Sequence, residues 1–335
     1  MISERVITEG ESAWREAYLW LCRQRRSAPD NADVWHLRFH WRRDGMALLR
    51  QVEHGHYRLS PMRIIRRSDG ENLAMWCAQD ALVLKWVALR AAGYLPAHEL
   101  CHHLKGRGCR HSVNSVAAAL REDKYRFVYR SDIRGYYQHM RKDKLVELVR
   151  HWLPDPVLSD LIVQFIHYSV EDGGEFHTPE SGISRGCALS PMLGASLLHH
   201  VDADFASCGE VFYVRYMDDF LLLSQTRWGL RRAIRRLHQF MQPQGFAMHP
   251  DKTQLGRLAN GFDWLGIWFG PEGPSIAPRA LNNHQQRRLR LYEQARNRGL
   301  SESAAQERVR AYETRWDIWA LRYLLPMSTY GRTTT

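Results

Sequence analysis

VFYVRYMDDFLLLS, residues 211–224, is two apolar, β-prone runs broken once by a pair of acids. Val211 to Tyr216 supplies one strand and Phe220 to Leu223 the other, which puts Asp218 and Asp219 at a hairpin tip. Two adjacent carboxylates beside such strands are costly to bury unless a cation meets them. Arg215, one residue before Tyr216, is read as facing away from them. A divalent metal is the cheaper partner, most simply Mg²⁺, which takes carboxylate oxygens.

A second acid joins this reading from upstream. Tyr125 to Ile133, YRFVYRSDI, reads as a strand that ends at Asp132 before Gly135 breaks it. An isolated aspartate there would more often cap a helix; the later acid pair makes it a candidate metal ligand. A helix follows with Leu145, Leu148, Val149 and Trp152 on one face, closed by Pro154.

At 335 residues the chain suits one large or two modest domains. Its net charge of +11 points to a polyanionic partner, nucleic acid ahead of a membrane surface, with plain solubility as the alternative. No apolar run reaches spanning length and the N-terminus lacks a signal-peptide pattern. Six scattered cysteines suit reduced thiols in a cytosol-like compartment. The expectation is a cytoplasmic protein without a membrane partner.

Residues 1–55 read as a helical extension. Trp14, Tyr18, Leu19, Leu21 and Cys22 form a helical stripe, while Trp35, Leu37, Phe39 and Trp41 alternate and leave a second helix open. These aromatics either stack bases or fill a core, and cores are the commoner use. Residues 56–74 read as a basic hairpin turning at Ser68-Asp69-Gly70, either a clamp for triphosphate or template or an edge protected by charge. A helix from about Cys77 to Ala92 follows.

CHHLKGRGCRH, residues 101–111, holds five metal-ligating types without a paired CxxC, so it reads as a flexible basic loop in preference to a zinc site. In residues 182–201 Gly182 and Gly186 bracket a loop, and Ser190 and Pro191 suit a helix start whose amides could receive a base or phosphate. Trp228 to Met241 is amphipathic. Leu230, Ile234, Leu237 and Met241 are its buried face, and Arg231, Arg232, Arg235 and Arg236 lie mostly opposite, by default solvated. GFAMHPDKT presents Lys252, and GFDWLGIWFG reads as one short aromatic strand. An arginine-rich helical segment follows, whose basic faces touch a duplex backbone. The terminal STYGRTTT reads as a frayed tail, with Ser328, Thr329 and Tyr330 as priming hydroxyls by exposure alone.

In this order, DIRGYY, G-x-x-RG-x-x-LSP, YMDD, PDKT and FDWLG resemble the reverse transcriptase family over about residues 56–275. FDWLG and GRGCRHSVNSV resemble the bacterial group II intron and group-II-like class more than retroviral enzymes. The resemblance implies an α+β right-hand polymerase with fingers, a palm built on a small antiparallel sheet, and a helical thumb. Its divisions would be 1–55 (N-terminal helical extension), 56–275 (interleaved fingers and palm) and 276–335 (thumb and tail).

By the same resemblance, Asp132 and Asp218 hold two Mg²⁺ ions, Asp219 assists and the Ile133 carbonyl completes one shell. Lys252 matches the lysine that protonates departing pyrophosphate; its alternative is a surface lysine. Tyr137 stands at the steric-gate position that favours deoxynucleotides, or packs in the core. Arg66 or Arg67 would hold the triphosphate, Arg185 and Gly186 the incoming base pair, and Phe262, Trp264, Leu265 and Gly266 the primer. Ser184-Arg185-Gly186 departs from the usual Pro-Gln-Gly, and arginine cannot accept as glutamine can. Gly70-Glu71-Asn72-Leu73 lacks the usual fingers arginine.

No maturase, endonuclease or RNase H region is expected after the thumb. The function implied is a stand-alone RNA-directed DNA polymerase working on an RNA template with dNTPs and yielding DNA. The template expected is a dedicated noncoding RNA, in antiphage defence. A protein partner or homo-oligomer is compatible with this. The alternatives are repair synthesis, an RNA-synthesising or untemplated polymerase on the same palm, and a non-catalytic nucleic-acid-binding scaffold.

Overall fold

The hairpin around Asp218-Asp219 forms. The computed structural model of the chain describes residues 8–66, 72–104 and 106–324. Arg67, the Ser68-Asp69-Gly70 turn, Glu71 and the tail residues Ser328, Thr329 and Tyr330 lie outside the described residues. The first elements are α1 (Glu9–Gln24), α2 (Asp33–Glu53), β1 (Met62–Arg66), β2 (Asn72–Met75), α3 (Ala78–Ala91) and α4 (Gly108–Arg121). Next come β3 (Phe127–Asp132), α5 (Tyr136–His139), α6 (Lys142–Trp152), α7 (Pro156–Ile166), β4 (Val170–Asp172) and β5 (Glu175–His177). They are followed by α8 (Ser190–Leu197), α9 (His199–Ala206), β6 (Val211–Tyr216), β7 (Asp219–Ser224), α10 (Arg227–Met241) and β8 (Gln254–Arg257). The last are β9 (Phe262–Trp264), β10 (Ile267–Gly270), β11 (Gly273–Ile276), α11 (Pro278–Asn297) and α12 (Glu302–Leu324). The fold is α+β.

Contacts divide the chain into two units. One is Met1–His98, Gly135–Val201 and Gln242–Phe246; the other is Glu99–Arg134, Asp202–Met241 and Ala247–Thr335.

The second unit is built on an antiparallel sheet in the order β6-β7-β3-β8. Helix α10 packs on β3 and β7, while Val113 and Val116 of α4 share a core with Val128, Val214, Leu221 and Leu223. Burial on both faces explains why FLLL is a continuous apolar run and not an alternating one. The same core takes Phe262, Trp264, Ile267 and Phe269 from a small sheet in the order β11-β10-β9. GFDWLGIWFG is therefore two strands, correcting the single strand expected. Leu265 (φ +52°) and Gly266 (φ +87°) turn the chain so that Trp264 faces Ile267. Two successive residues of positive φ make the tight turn that suits a two-residue hairpin, and apolar content alone hides it. Gly108 opens α4, so the basic loop expected over 101–111 is shorter than expected.

The first unit gathers α1 to α3. Trp14 stacks on Trp41, Tyr18 stacks on Trp41 with 3.7 Å between centroids, and Trp14 meets Trp86 edge-on. The Trp14 and Trp86 indoles donate to the carbonyls of Gly45 and Gly10. Most of the N-terminal aromatics thus serve the core, and Phe39, 83 % exposed, is the exception. The open question over residues 35–41 resolves as helix α2, whose Val34, Leu37, Leu48, Leu49 and Val52 are buried at helical spacing. The basic hairpin forms as β1–β2, with β4 added parallel to β1. Trp152, expected on the buried face of α6, is 46 % exposed.

Candidate active site

Asp132 ends β3, and the β3–β7 register sets it directly opposite Asp219. The Ile133 amide donates to the Asp218 carbonyl at 3.2 Å, which ties the strand end to the hairpin tip. Burial and the neighbouring Asp219 charge push the Asp218 carboxyl up to about 6. Asp219 is also raised, by burial first, against the opposing pull of Arg130. Two cations stand among these acids. Arg130, 5 % exposed on β3, donates from Nη2 to Asp219 Oδ1 at 3.0 Å. Lys252 Nζ donates to Asp132 Oδ2 at 2.6 Å. Lys252 is brought there by a 3₁₀ turn (Pro250–Lys252), after His249 N–H donates to the Asp132 carbonyl at 2.8 Å.

The turn that carries Asp218 is held from both sides. Met217 adopts φ +56°, which a branched or bulky side chain rarely does. Its N–H donates to His103 Nδ1 at 3.0 Å, and its carbonyl accepts from Arg215 Nη1 at 2.8 Å. Arg215 does face away from the aspartates, but it is wholly buried, not solvated. Its Nε and Nη2 meet Asp202 Oδ1 and Oδ2 at 2.8 and 2.5 Å. Tyr213 OH donates to the same carboxylate at 2.6 Å. Sequence reasoning missed Arg130, His103 and Asp202. An arginine inside the apolar run VFYVRY was the available signal, because a buried guanidinium requires a carboxylate.

The sequence model of the family described as reverse transcriptase (RNA-dependent DNA polymerase) matches residues 86–269, more than half of the chain. The chain belongs to the reverse transcriptase family. No protein of curated function matches it in sequence. Among solved structures it is similar to apo telomerase from Candida tropicalis truncated from its C-terminal domain, at 12 % identity and TM-score 0.44, over 59 % of this chain and 45 % of that one. It is also similar to telomerase from Candida albicans in complex with the TWJ fragment of telomeric RNA, at 13 % identity and TM-score 0.48, over 65 % of this chain and 46 % of that one. The chain thus spans less than half the length of either.

Reverse transcriptase domains use divalent metal ions, and the acids here suit one. Asp132 Oδ1 is buried with no hydrogen-bond partner, and the Asp218 carboxyl is raised first by burial and then by the neighbouring Asp219 charge. Among the described residues no three His, Cys, Asp or Glu side chains stand ready-arranged as a metal cage. Lys252 holds Asp132 Oδ2 and Arg130 holds Asp219 Oδ1, which leaves Asp132 Oδ1 as the unengaged oxygen.

The other positions expected of a reverse transcriptase fall in two groups. Phe262 and Trp264, in the same unit as the aspartates, are 1 % and 0 % exposed, so their rings are core; Leu265 and Gly266 form the partly open tip. Tyr137, Arg66, Arg185 and Gly186 belong to the other unit. Tyr137 is part-buried beside Tyr136, and its carbonyl accepts from Ile183 N at 2.9 Å. Arg66 sits in an exposed ion pair with Asp172 at 2.9 Å. Arg185 and Gly186 are exposed, and Gly186 has φ +78°. Ser190 does not cap α8 as expected; its hydroxyl donates to the Ser184 carbonyl at 2.7 Å and closes the loop instead. Cys101 Sγ and His103 Nδ1 lie 3.4 Å apart, so that pair of the 101–111 segment serves the turn at Met217.

Proposed function

We propose that this chain is an RNA-directed DNA polymerase that extends a primer 3′-hydroxyl with dNTPs on an RNA template. The observation that carries the reading is the register pair Asp132–Asp219 beside Asp218 on one buried sheet. Asp132 and Asp218 would hold two Mg²⁺ ions, with Asp219 assisting and the Ile133 carbonyl contributing. When bound, such ions activate the attacking hydroxyl and neutralise charge on the departing pyrophosphate. Asp132 and Asp218 orient the reacting groups, which is most of what phosphoryl transfer asks of a protein. Lys252, which stands beside Asp132, would give a proton to the leaving pyrophosphate. Tyr137 would exclude a ribose 2′-hydroxyl. Arg66 and Arg67 would meet the triphosphate, Arg185 and Gly186 the templating pair, and Leu265-Gly266 the primer.

The division into extension (1–55), fingers and palm (56–275) and thumb (276–335) belongs to this proposal. So do membership of the bacterial group-II-like class, a cytoplasmic place of action and a dedicated noncoding RNA copied in antiphage defence. Purified protein given Mg²⁺, a primed RNA and dNTPs should make complementary DNA, and Asp218→Asn should abolish it. Undiminished synthesis by Asp218→Asn would defeat the catalytic reading. Sequencing the nucleic acid that copurifies tests the setting: one dominant RNA supports it, and a random sample of cellular RNA opposes it.

A further inference from the structure

Helix α10 presents five arginines to its outer side, and among the described residues two of them are engaged in ion pairs. Gly229, Leu230, Ala233, Leu237 and Met241 are buried, which fixes the opposite side as outer. Arg232 pairs with Glu210 at 2.7 Å, and Arg236 pairs with Asp204. Arg227, Arg231 and Arg235 stand four residues apart on the next ridge. All three are exposed, and among the described residues none meets a carboxylate. Trp228 flanks the ridge at 70 % exposure, with the Arg231 guanidinium 5.2 Å from its ring centroid.

This arrangement is unfavourable for the protein alone. Like charges four apart on a helix repel. An arginine at the first helical position opposes the helix dipole, and no acid lies in that first turn to offset it. A large exposed indole adds apolar surface to water. The two neighbouring arginines show that carboxylates are available where this surface needs neutralising. A polyanion would relieve the ridge, and a flat ring would cover the indole.

We propose that the outer face of α10 binds single-stranded RNA, with phosphates on Arg227, Arg231 and Arg235 and an unpaired base stacked on Trp228. Duplex backbones would match the arginines but have no unpaired base to offer the indole. Trp228 lies just past the end of β7 remote from Asp219. Asp219 and Ser224, the two ends of the six-residue strand, are five steps or about 16–17 Å apart, so RNA held there is not the base pair at the acids.

The test is fluorescence anisotropy of a 5′-fluorescein-labelled oligouridylate, about 20 nucleotides long, across a NaCl series. Arg227→Gln/Arg231→Gln/Arg235→Gln should make the slope of log affinity against log salt shallower by about 2, at roughly 0.7 per lost phosphate contact on a single strand. Trp228→Ala should weaken binding about tenfold at fixed salt with the slope unchanged. Both variants should melt as the parent does and extend a short primed template at the parental rate. Parental affinity and slope in both variants would overturn the inference. So would tighter binding of duplex RNA or of a polyglutamate peptide, or a parallel loss of extension on the short template. Binding is read without synthesis, so failure of Asp218→Asn to abolish activity would leave this result standing.

Discussion

Met217 is the residue at which local cost and catalytic geometry meet. A non-glycine residue at positive φ costs about 1–2 kcal/mol, and two hydrogen bonds hold it there, one from each side. Removing the acceptor should let the turn relax and misplace Asp218. His103→Ala is expected to lower kcat about tenfold and raise the metal concentration needed for half-maximal synthesis, with KM for primed template unchanged. His103→Asn, whose Oδ1 can accept from the Met217 amide, should recover most of the rate. Loss in melting temperature alone, with kcat and metal requirement intact, would make His103 merely structural. Gly182 plays a comparable part in the other unit. A Cβ there would stand 2.7 Å from the carbonyl oxygens of both Tyr137 and Gln138, at φ +79°. Gly182→Ala should therefore destabilise by about 2–4 kcal/mol, read as a lowered urea midpoint, and on the role proposed for Tyr137 it should also raise ribonucleotide incorporation.

At the level of elements, the buried Arg215–Asp202 pair ties β6 to α9. Arg215→Met should cost about 3–5 kcal/mol, because Asp202 keeps a buried charge with only Tyr213 to meet it. Adding Asp202→Leu should recover much of that loss; a double variant as weak as the single would refute the pairing argument. His102, 4 % exposed just before α4, titrates in the folded state at about 4, lowered first by burial and then by His111 and Arg107. Below its ordinary value near 6.5 the unfolded chain takes a proton that the folded chain refuses. Stability should thus be full above about 6.5 and fall toward pH 4, by about 1–2 kcal/mol after allowance for screening. Urea midpoints at several pH values check this, and His102→Leu should flatten that part of the profile.

Much of this level was readable in the residues. β3, β6, β7 and α10 fall within about two residues of their expected bounds, because apolar runs and a strong 3.6-residue period dominate there. The turn at Leu265-Gly266 and the unbroken α2 were not readable, since the first depends on a backbone conformation that leucine seldom adopts and the second on ring packing with α1. The aspartates could be singled out because acids inside apolar strands are rare. Their supports could not: His103 and Asp202 sit in polar stretches where a solvated side chain is the ordinary outcome.

For the molecule as a whole, each unit is assembled from separated stretches of one chain. Fragments that stop at residue 98 or 134 should then lack a stable fold, since the first unit needs residues 135–201 and the second needs β6 to β8. Circular dichroism and hydrogen exchange on the purified fragment 1–134 would show this; a cooperative thermal transition like that of the full chain would contradict it.

The sheet order has a consequence during synthesis. β3 lies between β7 and β8, both encoded far downstream of it. On a ribosome working at about 5–20 residues per second, the strand bearing Asp132 waits on the order of ten seconds for its neighbours. Throughout that interval its backbone edges are open and Asp132 has neither Asp218 nor Asp219 beside it. The nascent chain is therefore at its most prone to misassociation until the stretch through Arg257 has been made.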